Sequence, residues 1–326
     1  MSKVLITGAS GFIGTNLTQS YLDRGFEVLN IDIAEPRIQA HNSFWRKVDV
    51  RDEASFTAAA REFKPDFLFH LAARTDIDGT TIQEYDSNTD GTRNAVKAAK
   101  AAGSVSRAVF FSSQLVLRVG YTPKNDEDVN PPNPYGDSKA VGEKIVRAES
   151  DGAFPWVIVR PTTIWGPWFG VKYQGLYRQI RRGRYMHPKG VKIKKVWGYV
   201  GNSVFSLSKL AEADAALVDG KTLYLADNKP TDLHDYAEII RNCWGAPPIR
   251  EVPVTVLKSV AIFGDALKMV GKSFPLTSYR LNNMLSQMDV SIDPLKQACG
   301  PQPFSLQQSA EQTVEWLRAN EGFDRD

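Results

Sequence analysis

Short apolar strands alternating with helix-period segments predict an α/β chain. The expected fold is a doubly wound parallel sheet with helices on both faces, followed by a smaller, mostly helical C-terminal substrate domain. Two local observations narrow the class to the Rossmann type. The chain opens Val4-Leu5-Ile6-Thr7-Gly8-Ala9-Ser10-Gly11-Phe12-Ile13-Gly14, an apolar strand running into a glycine-rich turn, and Thr15 to Asp23 then has helical spacing. A second strand, Phe26 to Ile31, ends in Asp32, eighteen residues after Gly14. The tight turn needs a residue tolerant of positive φ, and a backbone approaching a pyrophosphate has no room for a Cβ. The helix N-terminus then offers N–H groups and its positive dipole end to the anion. Asp32 suits two ribose hydroxyls and repels a 2′-phosphate, which favours NAD; Arg37 nearby leaves a phosphate conceivable.

The alternation continues through strands at Trp45–Val50, Phe67–Leu71 and Arg107–Ser112, with helices at Glu53–Glu62 and Thr89–Ala102 between them. Pro134 opens a helical pattern that runs through Glu149, and a sixth strand leads to Arg160. Tyr135 and Lys139 are four apart, so one helix face carries both. A phenol has a pKa near ~10, and a neighbouring ammonium brings it toward the working range of a general base.

The 326 residues are 24% charged and 42% hydrophobic, with a formal net charge of +3, too small to argue for nucleic acid. Cys243 and Cys299 make neither a disulfide framework nor a metal-ligand pair, and no metal is expected. His234 and Glu238 are four apart but lack further ligands, so they read as a surface pair. There is no leader after Met1 and no apolar run of bilayer length, so a cytoplasmic protein without a membrane span is expected.

Thr7–Gly14, Asp32, Asp49-Val50, His70-Leu71-Ala72-Ala73 and Asn88-x-x-Gly91-Thr92-x-Asn94 resemble the extended short-chain dehydrogenase/reductase family, in its nucleotide-sugar epimerase and dehydratase branch. The resemblance implies an NAD site of Gly8, Gly11, Phe12, Ile13, Gly14, Asp32, Ile33, Asp49, Val50, Leu71, Ala72, Ala73, Asn88 and Ser112, with Tyr135 and Lys139. Asp49 and Val50 would lie along the adenine, and Leu71-Ala72-Ala73 under the pyrophosphate and ribose. His70 reads as a packed strand-end residue. In the family pattern Ser-Ser-x-x-Val the second serine is catalytic, here Ser113, joining Tyr135 and Lys139. Arg160-Pro161-Thr162-Thr163-Ile164-Trp165-Gly166-Pro167 matches a family segment whose Pro161 and Thr163 would flank the nicotinamide.

Departures from the family limit the chemistry. Sugar dehydratases carry Thr-Asp-Glu where this chain has Ser113-Gln114-Leu115, so no carboxyl is available there to expel a 6-hydroxyl. The expected reaction is NAD-dependent C4 epimerisation of a nucleotide sugar. Gln114 is a candidate substrate contact. Arg178 and Arg182, in the basic run from Arg178 to Lys195, and Arg280 are candidates for the substrate phosphates. Trp197-Gly198-Tyr199-Val200-Gly201-Asn202 has Asn202 where the epimerases carry an acid. This variant also occurs in the 3β-hydroxysteroid dehydrogenase branch, which keeps an alcohol dehydrogenase open, alongside a non-catalytic dinucleotide-binding protein. The expected division is a dinucleotide-binding domain over 1–167 and a substrate region over 168–326, with 199–227 returning to the sheet. Helices are expected at Ser208–Leu217 and Thr231–Cys243, and a strand at Thr222–Ala226. The apolar stretch through Met269, Phe274, Leu276, Tyr279 and Met284 reads as core, an acceptor pocket or a lipid-facing surface. By resemblance the protein is a homodimer packed through the helix carrying Tyr135.

Overall fold

The structure, a computed structural model, describes residues 1–272, 274–287 and 290–320. In chain order the first elements are β1 (Lys3–Thr7), α1 (Phe12–Asp23), β2 (Glu27–Asp32), β3 (Trp45–Lys47), α2 (Glu53–Phe63), β4 (Phe67–His70) and α3 (Asp86–Ala102). Then come β5 (Arg107–Phe111), α4 (Pro134–Glu149), β6 (Trp156–Pro161), β7 (Thr163–Trp165), α5 (Gly175–Arg181), β8 (Met186–Pro188), β9 (Lys194–Lys195) and β10 (Trp197–Tyr199). The last are α6 (Val200–Glu212), α7 (Ala215–Val218), β11 (Lys221–Leu225), β12 (Thr231–Asp232), α8 (Leu233–Trp244), β13 (Arg250–Val252), α9 (Val254–Met269), α10 (Ser278–Leu285), α11 (Asp293–Cys299) and α12 (Leu306–Ala319).

Two compact units result. The first comprises Met1–Phe169, Gly198–Asn228 and Val290–Pro303. It holds a seven-stranded sheet in the order β11-β6-β5-β4-β1-β2-β3, every pairing parallel. This is the Rossmann-type doubly wound sheet expected from the alternation. Its centre is buried on both faces: Val4, Leu5, Ile6, Leu68, Phe69, Ala108, Val109, Val157 and Val159 are all inaccessible. Near-continuous apolar strands are what a sheet covered on both sides requires. The second unit is built from Gly170–Trp197 and from segments within 229–287 and 304–320. In it β12 pairs with β9, β13 with β8, and α8 packs against α5 and α12.

Helix boundaries follow their caps. Asp52 accepts from Ser55 N ahead of α2, Asn133 from Gly136 N ahead of α4, and Asp232 from His234 N ahead of α8. Thr231 and Asp232 are therefore strand and cap, and the expected Thr231–Cys243 helix begins at Leu233. The helix expected over Ser208–Leu217 is two helices. α6 starts earlier, at Val200, and ends at Glu212, because Ala213 is extended and Asp214 caps α7 through Ala216 N. The third strand stops at Lys47, since its one partner, β2, ends opposite it at Asp32. Among the described residues no helix is long and apolar enough to cross a membrane.

Candidate active site

The glycine turn leaves β1 at Gly8, whose φ is +69°. A Cβ there would lie 2.7 Å from Ala72 N, so the backbone of Leu71 and Ala72 passes directly against the turn. At Gly14 a Cβ would run into Gly8 O and stand 2.6 Å from Ala9 Cα. α1 begins after Gly11 with no side-chain cap and no acid in its first turn. The N-terminal N–H groups at Phe12, Ile13 and Gly14 thus end a 12-residue helix whose dipole favours an anion. This cradle fits the pyrophosphate of a dinucleotide. Gly14→Ala is expected to cost roughly 3 kcal/mol by urea denaturation, since backbone must move to admit the methyl group.

Asp32 sits where β2 ends. Its Oδ2 accepts from Ser10 N at 3.0 Å and its Oδ1 from Ala34 N at 2.9 Å, which orients the carboxylate and leaves a lone pair on each oxygen for hydroxyl donors. Arg37 donates to Ser10 O at 3.0 Å and to Trp168 O at 2.5 Å, so its guanidinium is committed to backbone carbonyls. Ile33 beside Asp32 is exposed. Asp49 is clasped by the Arg51 guanidinium and by Arg51 N, which hold its carboxyl below the usual range. Val50 is buried against Gly91, and Asn94 Nδ2 donates to Val50 O at 2.9 Å.

His70 is fully packed. Its Nδ1 meets Thr7 Oγ1 at 2.9 Å, its Nε2 meets Thr92 Oγ1 at 3.4 Å, and burial pushes its pKa down to about 3. It is neutral at working pH and holds Thr7, whose hydroxyl also accepts from Ala72 N. Ala73 follows on the same connection. The Asn88 side chain is spent within the protein instead of facing outward. Its Oδ1 accepts from Arg74 N at 2.8 Å, and its Nδ2 donates to Arg74 O and to Ser138 Oγ. Ser138 in turn donates to Tyr135 O at 2.7 Å. Asn88 therefore clamps the connection after β4 to the first turn of α4.

Asn133 and Pro134 set where α4 begins, and so place Tyr135 and Lys139 one turn apart on one face. Tyr135 is 8% exposed, its ring 6.0 Å from that of Tyr85. Lys139 Nζ donates at 2.9 Å to the carbonyl of Phe111, the last residue of β5 and two before Ser113. Gly136 lies directly against the Leu115 carbonyl, so the turn after Ser113 and the start of α4 are in contact. Ser113 Oγ accepts from Leu115 N at 3.1 Å. Burial lowers the Lys139 pKa to about 8, partly offset by the Glu143 carboxylate. Between about pH 8 and 10.5 the unfolded chain keeps a proton on Lys139 that the folded chain has released. Stability of the NAD-free protein should therefore rise with pH across that window, and Lys139→Met should lose this part of the rise in urea midpoints.

Ser112 points away from Ser113. Its hydroxyl donates at 2.5 Å to Glu143 Oε1, a buried carboxylate also gripped by Arg160 through two contacts of 2.8 Å and by Arg147 at 3.1 Å. Arg160 and Glu143 are 1% and 2% exposed at the side chain, so the ion pair is sealed against α4. Sequence reasoning missed Glu143. The only signal was its spacing, four residues from Lys139 and four from Arg147. Gln114 Nε2 donates to Thr163 Oγ1 at 3.5 Å, just past Pro161 at the end of β6. Asp227, also missed, follows β11 and accepts from Tyr199 N and from Asn202 Nδ2 at 3.0 Å; burial pushes its pKa up to about 6.

In the second unit Arg178 donates to Gln174 Oε1 at 3.1 Å, and Arg182 follows α5. Arg280, on α10, donates to Phe274 O and Pro275 O. His234 pairs with Glu251 at 3.7 Å and stacks edge-on against His187, and among the described residues no group of ligands could hold a metal ion.

The parallel sheet, glycine cradle and acid-ended β2 define a Rossmann-type dinucleotide-binding protein. The chain belongs to the NAD dependent epimerase/dehydratase family, whose model matches residues 4–215. It is an NAD-dependent member of the extended short-chain dehydrogenase/reductase type. A 3-beta-hydroxysteroid dehydrogenase of Mycolicibacterium neoaurum is 28% identical over 73% of this chain and 69% of its own length. The N-acetyl-alpha-D-glucosaminyl-diphospho-ditrans,octacis-undecaprenol 4-epimerase of Escherichia coli O157:H7 is 28% identical over 96% of this chain and 95% of its own. Among solved structures, the UDP-glucuronic acid 4-epimerase of Bacillus cereus in complex with NAD aligns with a TM-score of 0.71 at 17% identity, covering 97% and 99% of the two chains.

Proposed function

We propose that this protein is an NAD-dependent 4-epimerase of nucleotide sugars, cytoplasmic and dimeric through α4. The observation that carries the reading is the tie between Lys139 Nζ and Phe111 O. It joins the helix bearing Tyr135 to the strand that delivers Ser113. Bound NAD supplies a hydride acceptor for C4 of the sugar and gives the hydride back. The protein's own residues move the proton and hold the pieces. Tyr135 takes the proton of the C4 hydroxyl, and the Lys139 ammonium stabilises the phenolate so formed. Ser113 donates to the C4 oxygen as it gains carbonyl character. Turnover of the 4-keto sugar presents its other face, and Tyr135 returns the proton. Gln114 and Leu115 offer no carboxyl for eliminating water, which supports epimerisation over dehydration. Lys139 and Tyr135 would also meet the cofactor ribose, with Pro161 and Thr163 beside its nicotinamide. Arg178, Arg182 and Arg280 remain the proposed contacts of the substrate phosphates.

A second reading, dehydrogenation of an apolar secondary alcohol, is favoured by the Asn202–Asp227 pair in place of the epimerases' acid at position 202, and by the likeness to the Mycolicibacterium dehydrogenase. NADH absorbance separates the two. An epimerase converts a nucleotide sugar with no net NADH, whereas a dehydrogenase accumulates one NADH per alcohol oxidised.

A further inference from the structure

The second unit carries a surface the proposed reaction does not use. The inner side of α9 is ordinary core, where Leu257 and Ala261 cluster with Leu281, Leu276 and Met284. On the outer side Val256, Ile262, Phe263 and Met269 are 48%, 65%, 58% and 89% exposed. Val270, directly after the helix, continues the row at 69%. At 100° per residue these positions share one broad face with Thr255, Ser259 and Ala266, and no charged side chain interrupts it. Phe263 is braced edge-on by Phe274 at 5.8 Å, which keeps its ring at the surface. Single exposed apolar residues are normal, but a continuous uncharged stripe of them marks an interaction surface.

Charge selects the occupant. Residues 254–287 hold Lys258, Lys268, Lys272 and Arg280 against one acid, Asp265. All four cations are exposed, whereas Asp265 Oδ1 accepts from Ser278 N. A second copy laid on this face would bring the same four cations and only Asp265, already bound to Ser278 N, to meet them. An anionic bilayer supplies both halves of the complement. Apolar side chains enter the boundary of headgroups and acyl chains, and lysine stems reach back to the phosphates.

We propose that α9 docks the protein flat on an anionic membrane surface through Val256, Ile262, Phe263 and Met269, with Lys258, which borders this stripe, and Lys272, just beyond the helix, contacting lipid phosphate. The test is flotation of the full chain with vesicles of phosphatidylglycerol and phosphatidylcholine, or of phosphatidylcholine alone. Binding to the anionic vesicles is expected to exceed binding to the neutral ones by ~tenfold and to weaken with salt. Ile262→Glu with Phe263→Glu, both at exposed positions, should lower it by ~tenfold with an unchanged melting temperature. Lys258→Glu with Lys272→Glu should abolish the preference for anionic lipid. Absence of vesicle binding, or binding that the Ile262/Phe263 pair leaves unchanged, would overturn the proposal. So would sedimentation showing that this pair converts a dimer to a monomer while vesicle binding stays the same.

Discussion

Tyr135→Phe should lower kcat by ~10³–10⁴-fold with little change in stability or NAD affinity, because it removes one hydroxyl and no packing. The size follows from the role. In the proposed mechanism, the C4 hydroxyl without the phenol has no positioned base, and Lys139 is a poor substitute because its Nζ is engaged with Phe111 O. The phenyl ring still fills the site against Tyr85. Steady-state turnover and an NAD titration on one preparation separate loss of chemistry from loss of fold. Turnover within about tenfold of the parent would remove Tyr135 from the proton-transfer role.

The largest effect on stability is expected at Glu143. Glu143→Ala leaves Arg160, 1% exposed, without its bidentate partner, and takes the acceptor from Ser112. Breaking a buried pair from one side costs about 3–5 kcal/mol, because the surviving charge stays buried. Arg147 and the Asp126 carbonyl do not replace what is lost, one being a cation and the other a single acceptor already used by Arg160. Urea denaturation reads the loss, and a change below about 1 kcal/mol would show that water or rearrangement solvates the guanidinium. Glu143 lies one turn beyond Lys139, so turnover should fall as well, though less than in Tyr135→Phe.

What was legible in the chain is what local chemistry ties to short spacing. Gly8, Gly11 and Gly14 must lie within one turn, Asp32 must end the next strand, and Tyr135 and Lys139 must share a helix face. Each constraint is written within a few residues or one βαβ unit. Glu143 could not be read this way, since its partners Ser112 and Arg160 arrive from separate strands and only the sheet order brings them together. Asn88, expected at the cofactor, also ties Arg74 to Ser138, which lies fifty residues on in the chain. Ser112 likewise turns to Glu143. α6 was misplaced because the segment from Tyr199 was expected as the chain's return to the sheet, whereas the chain enters a helix at Val200. The apolar stretch on and after α9 divides between core and surface: Leu276 and Met284 pack inward, while Met269 and Tyr279 are exposed. Composition alone does not separate those faces.

In the proposed reaction, hydride leaves C4 of the nucleotide sugar and returns to it. The most direct measurement uses nucleotide sugars deuterated at C4, incubated with the protein and NAD and followed by proton NMR. The proposed reaction interconverts the C4 epimers with deuterium retained at C4 and no accumulation of reduced cofactor, and Tyr135→Phe slows it by ~10³–10⁴-fold. Loss of deuterium to a stoichiometric pool of NADD, with a ketone as the final product, would contradict it.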